Sequence, residues 1–291
     1  MEKEHEISID NVYKNEFYIM FAYIYSVVKP KNTSNSETDE SEELLEDEKF
    51  IANLHRILTG IDNCLRTIDI SCLFIRRFYG KKYFESKEIS VTDYLKYHYD
   101  MICYKSATLK DLYFKLINHL YILGISKKEC NWDNISKHKS DINNPNLFKI
   151  LEFNYDSLKS IIEKKRNESA HEGIINHHTL KESELYEPLI ISSSLKKHCG
   201  EPTTLIKTHY DIEIKKGKQN ILKEAYAVRK ITFTVTKCIF CSLSDRLAET
   251  ISDRLKEKNA LNIDKGCEIV SKSLDCPYSC TSKCDFWRKK N

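Results

Sequence analysis

The residues best suited to chemistry lie in 161–173, IIEKKRNESAHEG, where Arg166, Asn167 and His171 give the order R-N-x-x-x-H. On a helix, Asn167 and His171 are four apart and share a face. Arg166 is turned about 100° from Asn167, yet its side chain is long enough to curl toward the same cleft. A guanidinium binds phosphate bidentately and neutralises developing charge, and an imidazole titrating near neutrality moves protons. The amide of Asn167 would orient the imidazole or the nucleic acid. RNA brings its own nucleophile, the 2′-hydroxyl, so Arg and His can cleave it with no metal and no cofactor. DNA lacks that hydroxyl and demands more machinery. Lys164 and Lys165 precede the cluster and His177 and His178 follow it, so all four are candidate RNA-binding residues. The competing account is a helix end in which Lys164, Lys165 and Arg166 complement the dipole, Gly173 caps it, and the two histidines lie on a polar surface loop.

The elements that must position this cluster read as helices nearly throughout. Residues 12–28 form a first apolar helix. A polar linker over 30–38 leads to a second helix, capped by Ser36 or Thr38, that starts with acids and runs to about Tyr79, with Gly60 and Gly80 as points where it breaks or ends. In 92–123, Leu109, Leu112, Tyr113, Leu116, Leu120 and Leu123 recur at helical spacing and Gly124 supplies the stop. Residues 125–146 are polar and loop-like, and Pro145 opens the next helix. Its buried face, Leu147, Leu151, Leu158, Ile161 and Ile162, leads into the cluster. Residues 203–214 fit a strand or a helix, because Tyr210, Ile212 and Ile214 alternate. From Gln219 to Leu255 one long helix is expected, although the β-branched run ITFTVT at 231–236 opposes it locally.

Composition narrows the class. The chain of 291 residues is 41% hydrophobic and 31% charged, large enough for a sizeable core. Its 7 glycines and 5 prolines are too few for β-sandwiches, glycine-rich phosphate loops or a Rossmann fold. G-x-S-x-G, H-E-x-x-H, Walker and deaminase signatures are absent. The apolar stretch 17–28 is shorter than a bilayer requires and follows acids, not a basic signal region, so a cytoplasmic protein without a membrane segment is expected. Net charge is +3, but residues 37–48 hold eight acids, and the remainder carries about +11, a balance that suits a polyanion. Arg76, Arg77, Lys215, Lys216 and Lys218 could track a phosphate backbone, or serve only as a solvated face. Eleven cysteines, an odd number, read as reduced thiols. The tail 259–291 is the exception to consider. If it closes around a structural zinc ion, Cys276, Cys280 and Cys284 are the ligands with Cys267, Cys238 or Cys241 as the fourth; the spacing fits no standard iron–sulfur signature, and free thiols are the alternative.

R-N-x-x-x-H behind an apolar helix, in an all-helical chain with a preceding LKDLYFKLINHLYILG helix, resembles the HEPN superfamily (higher eukaryotes and prokaryotes nucleotide-binding), whose pattern is R-x4–6-H, commonly with Asn, Asp or His after the Arg. The resemblance implies an all-α antiparallel helical bundle that dimerises so that two motifs face one composite cleft. It implies a metal-independent endoribonuclease with Arg166, Asn167 and His171 as catalytic residues, in a toxin–antitoxin or antiviral defence setting with an antitoxin or defence partner. Some members of such a family keep the bundle and lose activity, so the alternative is a non-catalytic RNA-binding or scaffold protein. The expected division is a helical domain over 1–258, with a core of about 10–195 and a long helix of about 219–256, followed by the Cys-rich tail 259–291.

Overall fold

The computed structural model describes residues 12, 15–28, 46–77, 83–84, 86–158, 162 and 177–255. Nine α-helices are found among them: α1 Glu16–Val28, α2 Glu46–Arg76, α3 Val91–Tyr121, α4 Trp132–Lys137, α5 Lys139–Ile142, α6 Pro145–Leu158, α7 Lys181–Ile191, α8 Ser193–Cys199 and α9 Thr204–Leu255. A 3-10 turn, His178–Leu180, precedes α7. The fold is all-α, with no strand among the described residues. No helix among them is long and apolar enough to cross a membrane.

Local chemistry sets the helix ends. Asn15 caps α1, its Oδ1 accepting from the Phe17 N–H at 2.9 Å. Ser90 and Asp93 cap α3 reciprocally: the Asp93 N–H donates to Ser90 Oγ at 2.7 Å and the Ser90 N–H to Asp93 Oδ2 at 3.1 Å. Asn144 caps α6, where Pro145 takes the first helical position as expected. Gly124 is not the stop of α3. That helix ends at Tyr121, Ile122 adopts φ 54°, and the Leu123 N–H closes back on the Asn118 carbonyl at 3.1 Å. Asn118 then accepts from the Ile125 N–H and donates to the Ile125 carbonyl, closing a turn in which Gly124 adopts φ 72°.

Two compact units divide the described residues. Those of 60–113 and 148–235 form one, and those of 10–59, 114–147 and 236–255 the other. In the first, α2 runs antiparallel to α3, with Gly60 against Leu112 at one end and Phe74 against His98 (ring centroids 4.9 Å apart) at the other. It also runs antiparallel to α9: Arg229 Nε donates to Asp69 Oδ1 at 2.6 Å and Cys72 Sγ donates to the Ala225 carbonyl at 3.6 Å. The core there is built from Ile61, Leu65, Ile68, Leu95, Ile102, Leu109, Phe148, Leu151, Ile221 and Val228, all buried. In the second unit, Phe17 of α1 stacks on Phe240 of α9 (4.9 Å, 9°), His119 of α3 meets the Phe50 carbonyl at 2.9 Å, and Leu54, Leu58, Leu116, Leu120, Leu243 and Leu247 fill the interior.

Three sequence expectations change here. Gly60 neither breaks nor ends α2, which passes through it and stops at Arg76. The stretch 125–146 holds two short helices, α4 and α5. Residues 203–214 are helical, so α9 starts at Thr204 and spans 52 residues, ITFTVT included. Ser36, Thr38 and Gly80 lie outside the described residues.

Candidate functional site

Of the candidate site residues, His177 and His178 are described. Arg166, Asn167, His171, Lys164 and Lys165 lie outside the described residues, as do Cys267, Cys276, Cys280 and Cys284. Two residues that flank the R-N-x-x-x-H sequence are described: Ile162, four residues before Arg166, is 1% exposed, and His177, six residues after His171, is also 1% exposed.

His177 is held by three elements. Helix α3 brings Tyr99, which sits in its buried stripe with Leu95, Ile102 and Cys103. Helix α9 brings Glu224, beside the buried Ile221, Ala225 and Val228. The 3-10 turn brings Thr179. Tyr99 Oη donates to Glu224 Oε2 at 2.7 Å, and the same carboxylate oxygen lies 3.4 Å from His177 Nε2. On its other side, His177 Nδ1 is 2.7 Å from Thr179 Oγ1. The tautomer with the proton on Nε2 satisfies both contacts, donating to the carboxylate and accepting from the hydroxyl. Burial pushes the Tyr99 phenol far above its ordinary value, and Cys103 and Glu224 push it the same way, so the phenol remains a donor. The Tyr99 ring meets the His177 ring edge to face at 5.2 Å, and the exposed His178 lies parallel to it, also at 5.2 Å.

The turn after His177 is equally fixed. The Leu180 N–H donates to the His177 carbonyl at 2.8 Å, Ser183 Oγ donates to the Leu180 carbonyl at 2.7 Å, and both Leu180 and Ser183 are fully buried. Gly217 of α9 faces this turn so closely that a Cβ there would lie 2.6 Å from Leu180 Cδ2 and 2.8 Å from the Thr179 carbonyl oxygen. Glu184, one turn into α7, pairs with Lys96 of α3 at 2.5 Å. Sequence reasoning named His177 but missed Tyr99, Thr179, Gly217 and Glu224. Glu224 adjoins the apolar stripe of Ile221, Ala225 and Val228, but its side chain is one-third exposed and nothing in the sequence pattern singles it out.

The remaining candidates are simpler. Arg76, Arg77, Lys215 and Lys216 are exposed, and Lys216 pairs with Glu213 at 2.7 Å. Cys238 and Cys241 are on α9. Burial, with Cys241 adding to it, pushes the Cys238 thiol up, and Asn15 Nδ2 reaches Cys241 Sγ at 3.0 Å. Among the described residues no cluster of three or more His, Cys, Asp or Glu could hold a metal ion.

The family described as HEPN_Cthe2314-like HEPN matches this chain over residues 52–237, a span that includes the R-N-x-x-x-H sequence and every member of the His177 network. No curated protein and no solved structure matches the chain.

Proposed function

The chain belongs to the HEPN_Cthe2314-like HEPN family, and from that premise we propose that it is a metal-independent endoribonuclease. The observation that carries this reading is the R-N-x-x-x-H sequence at 166–171 inside the matched span. In the proposed reaction His171 takes the proton of an RNA 2′-hydroxyl and the 2′-oxygen attacks the adjacent phosphorus. The P–O bond to the 5′-oxygen of the next nucleotide breaks, and that oxygen takes back the proton held by His171, giving a 2′,3′-cyclic phosphate. Arg166 binds the phosphate and stabilises the charge that grows on it, and Asn167 orients the imidazole or the RNA. Lys164, Lys165 and His178 lie close in sequence and contact the RNA backbone. The working form is a cytoplasmic homodimer with two motifs facing one cleft, in a toxin–antitoxin or antiviral defence role. Residues 1–258 make up the HEPN-like domain and 259–291 are a tail not needed for chemistry.

The test is incubation of purified protein with labelled RNA in EDTA. Cleavage that survives chelation is expected, with cyclic-phosphate ends. His171→Ala should cut the rate by about 10²–10⁴-fold while sparing binding, and Arg166→Ala should weaken both. RNA bound but left intact, with or without divalent metal, would replace this reading with the non-catalytic module.

A further inference from the structure

We propose that the aromatic face shared by α2, α3 and the turn leading into α3 is a base-stacking platform for single-stranded RNA, centred on Tyr97. The identity of the nucleic acid rests on the ribonuclease reading above. Phe74 of α2, Phe84 of the turn, and Tyr94 and His98 of α3 form a half-buried floor. Their rings touch in series: Phe84 to Tyr94 at 5.6 Å, Tyr94 to His98 at 4.5 Å and His98 to Phe74 at 4.9 Å. Tyr97 stands on that floor, edge to face with His98 at 5.3 Å, and is 63% exposed. Seven residues on, about 10 Å along the same side of α3, Tyr104 is 54% exposed and has Lys105 Nζ 5.7 Å from its ring centre.

The rings are held before any ligand arrives, which lowers the ordering cost of binding. The Phe84 carbonyl accepts from the Lys87 and Ile89 N–H groups at 2.9 and 3.0 Å. The surrounding charge favours a polyanion. Arg76, Arg77 and Lys87 are exposed. The Arg77 N–H donates to the Leu73 carbonyl at 2.9 Å, so this arginine continues the helical path and stands on the side of Phe74, three residues before it. Nearby carboxylates are engaged by the protein: Asp93 caps α3, Glu88 accepts from the Ser193 N–H and hydroxyl, and Glu184 pairs with Lys96. Burial pushes the His98 imidazole down, which leaves it an uncharged ring at neutral pH. RNA brings both complements at once, a π-face on each base and a phosphate beside it. A duplex keeps its bases stacked inside and cannot reach the rings. The platform therefore holds substrate and takes no part in bond breaking.

The experiment places Tyr97→Ala, Tyr97→Phe and Tyr97→Leu in the full chain. Binding is read by anisotropy on a 2′-O-methyl single-stranded RNA, whose nucleophile is blocked, and on the same strand annealed to its complement. Turnover is read on the unmodified strand, and dimerisation by sedimentation. Tyr97→Ala should raise Kd and KM about 5–50-fold on the single strand, with kcat changed less than threefold and duplex binding unchanged. Tyr97→Phe keeps the ring and should match the parent within about twofold, whereas Tyr97→Leu keeps apolar area without a π-face and should lose most of the affinity. Tyr97→Leu also serves if the alanine variant fails to fold. The loss should be the same at about 50 and 200 mM salt, because stacking releases no counterions; a loss that vanishes at high salt would overturn stacking. A parent that cuts RNA beside a Tyr97→Ala variant with unchanged Kd and KM would overturn the platform and leave the ribonuclease standing. A parent that binds the single strand through Tyr97 and cuts nothing would sink the ribonuclease reading and keep the platform. A parent that binds no RNA would sink both. Tyr97→Ala that splits a dimer without weakening RNA binding would give this face to a second copy of the chain instead.

Discussion

At the scale of single residues, the interior holds groups whose protonation is set by burial, and they give the fold a defined response to base. Burial pushes the Cys72 thiol up from 9.0 to about 12, with Arg229 pulling it down and Asp69 pushing it up. In the unfolded chain that thiol loses its proton near its ordinary value. The stability it gives is therefore whole below about pH 9 and is lost as pH climbs toward about 12, at about 1.4 kcal/mol per unit. Tyr99 is shifted in the same direction and adds to the loss above its own ordinary range. Urea midpoints should fall steeply between pH 9 and 11 and less steeply in Cys72→Ala; parallel curves would contradict this. The same burial makes Cys72, Cys64 and Cys103 inert to iodoacetamide in the native protein, while the exposed Cys199 reacts. Alkylation followed by peptide mass spectrometry distinguishes them. Labelling of Cys72 at the rate of Cys199 would mean that the α2–α9 contact opens readily.

At the scale of elements, two glycines inside helices predict opposite outcomes. The nearest atoms to a Cβ at Gly60 all belong to the half-buried Leu112, its two methyl carbons at 3.3 Å, a side chain that can give way. Gly60→Ala should stabilise the fold by about 0.5–1 kcal/mol through helix propensity. Gly217→Ala presses on a backbone oxygen and should destabilise by about 1–3 kcal/mol despite the same propensity gain. Denaturant melts of both variants read the signs directly. Gly217 also explains where the sequence stopped being legible. The buried positions of α9 run Tyr210, Gly217, Ile221, Ala225 and Val228. Among KKGKQ at 215–219 the inward residue is a glycine with no apolar mark, so in the sequence the stripe starts only after it, and the alternation of Tyr210, Ile212 and Ile214 is left looking like a strand. In fact Tyr210 is buried and Ile212 is 46% exposed, as a helical period requires. Farther along, Phe233, Val235 and Thr236 are buried, and Thr232 Oγ1 back-bonds to the Val228 carbonyl at 3.0 Å, so packing overrides the strand preference of ITFTVT. The stripes of α3 and α6 were legible because their inward positions are leucines and aromatics. The His177 network was not, because its members come from three elements and a carboxylate carries no periodic signal.

At the scale of the whole molecule, the modest net charge of +3 conceals an acidic run and a basic remainder. RNA affinity should then fall about tenfold or more between about 50 and 200 mM salt, since each phosphate neutralised on a single strand steepens the logarithmic slope by about 0.7. A flat salt response measured by fluorescence anisotropy would count against backbone binding. Truncation after Lys258 should lower thermal stability more than kcat, and elemental analysis of the intact chain tests whether its cysteines carry zinc. A truncated protein that melts normally yet fails to cleave would place the tail in the site. Helix α9 has a further consequence, for the timing of synthesis. It is the last element described, and it supplies Ala225, Val228 and Arg229 to one unit and Ile239, Phe240 and Leu243 to the other, with Glu224 for the contact to His177. A ribosome adding about 5–20 residues per second takes on the order of ten seconds to pass from the end of α2 to Glu224. Until then neither core has its closing face and His177 has no carboxylate to meet. The packing of both units is therefore completed only when translation is nearly through α9.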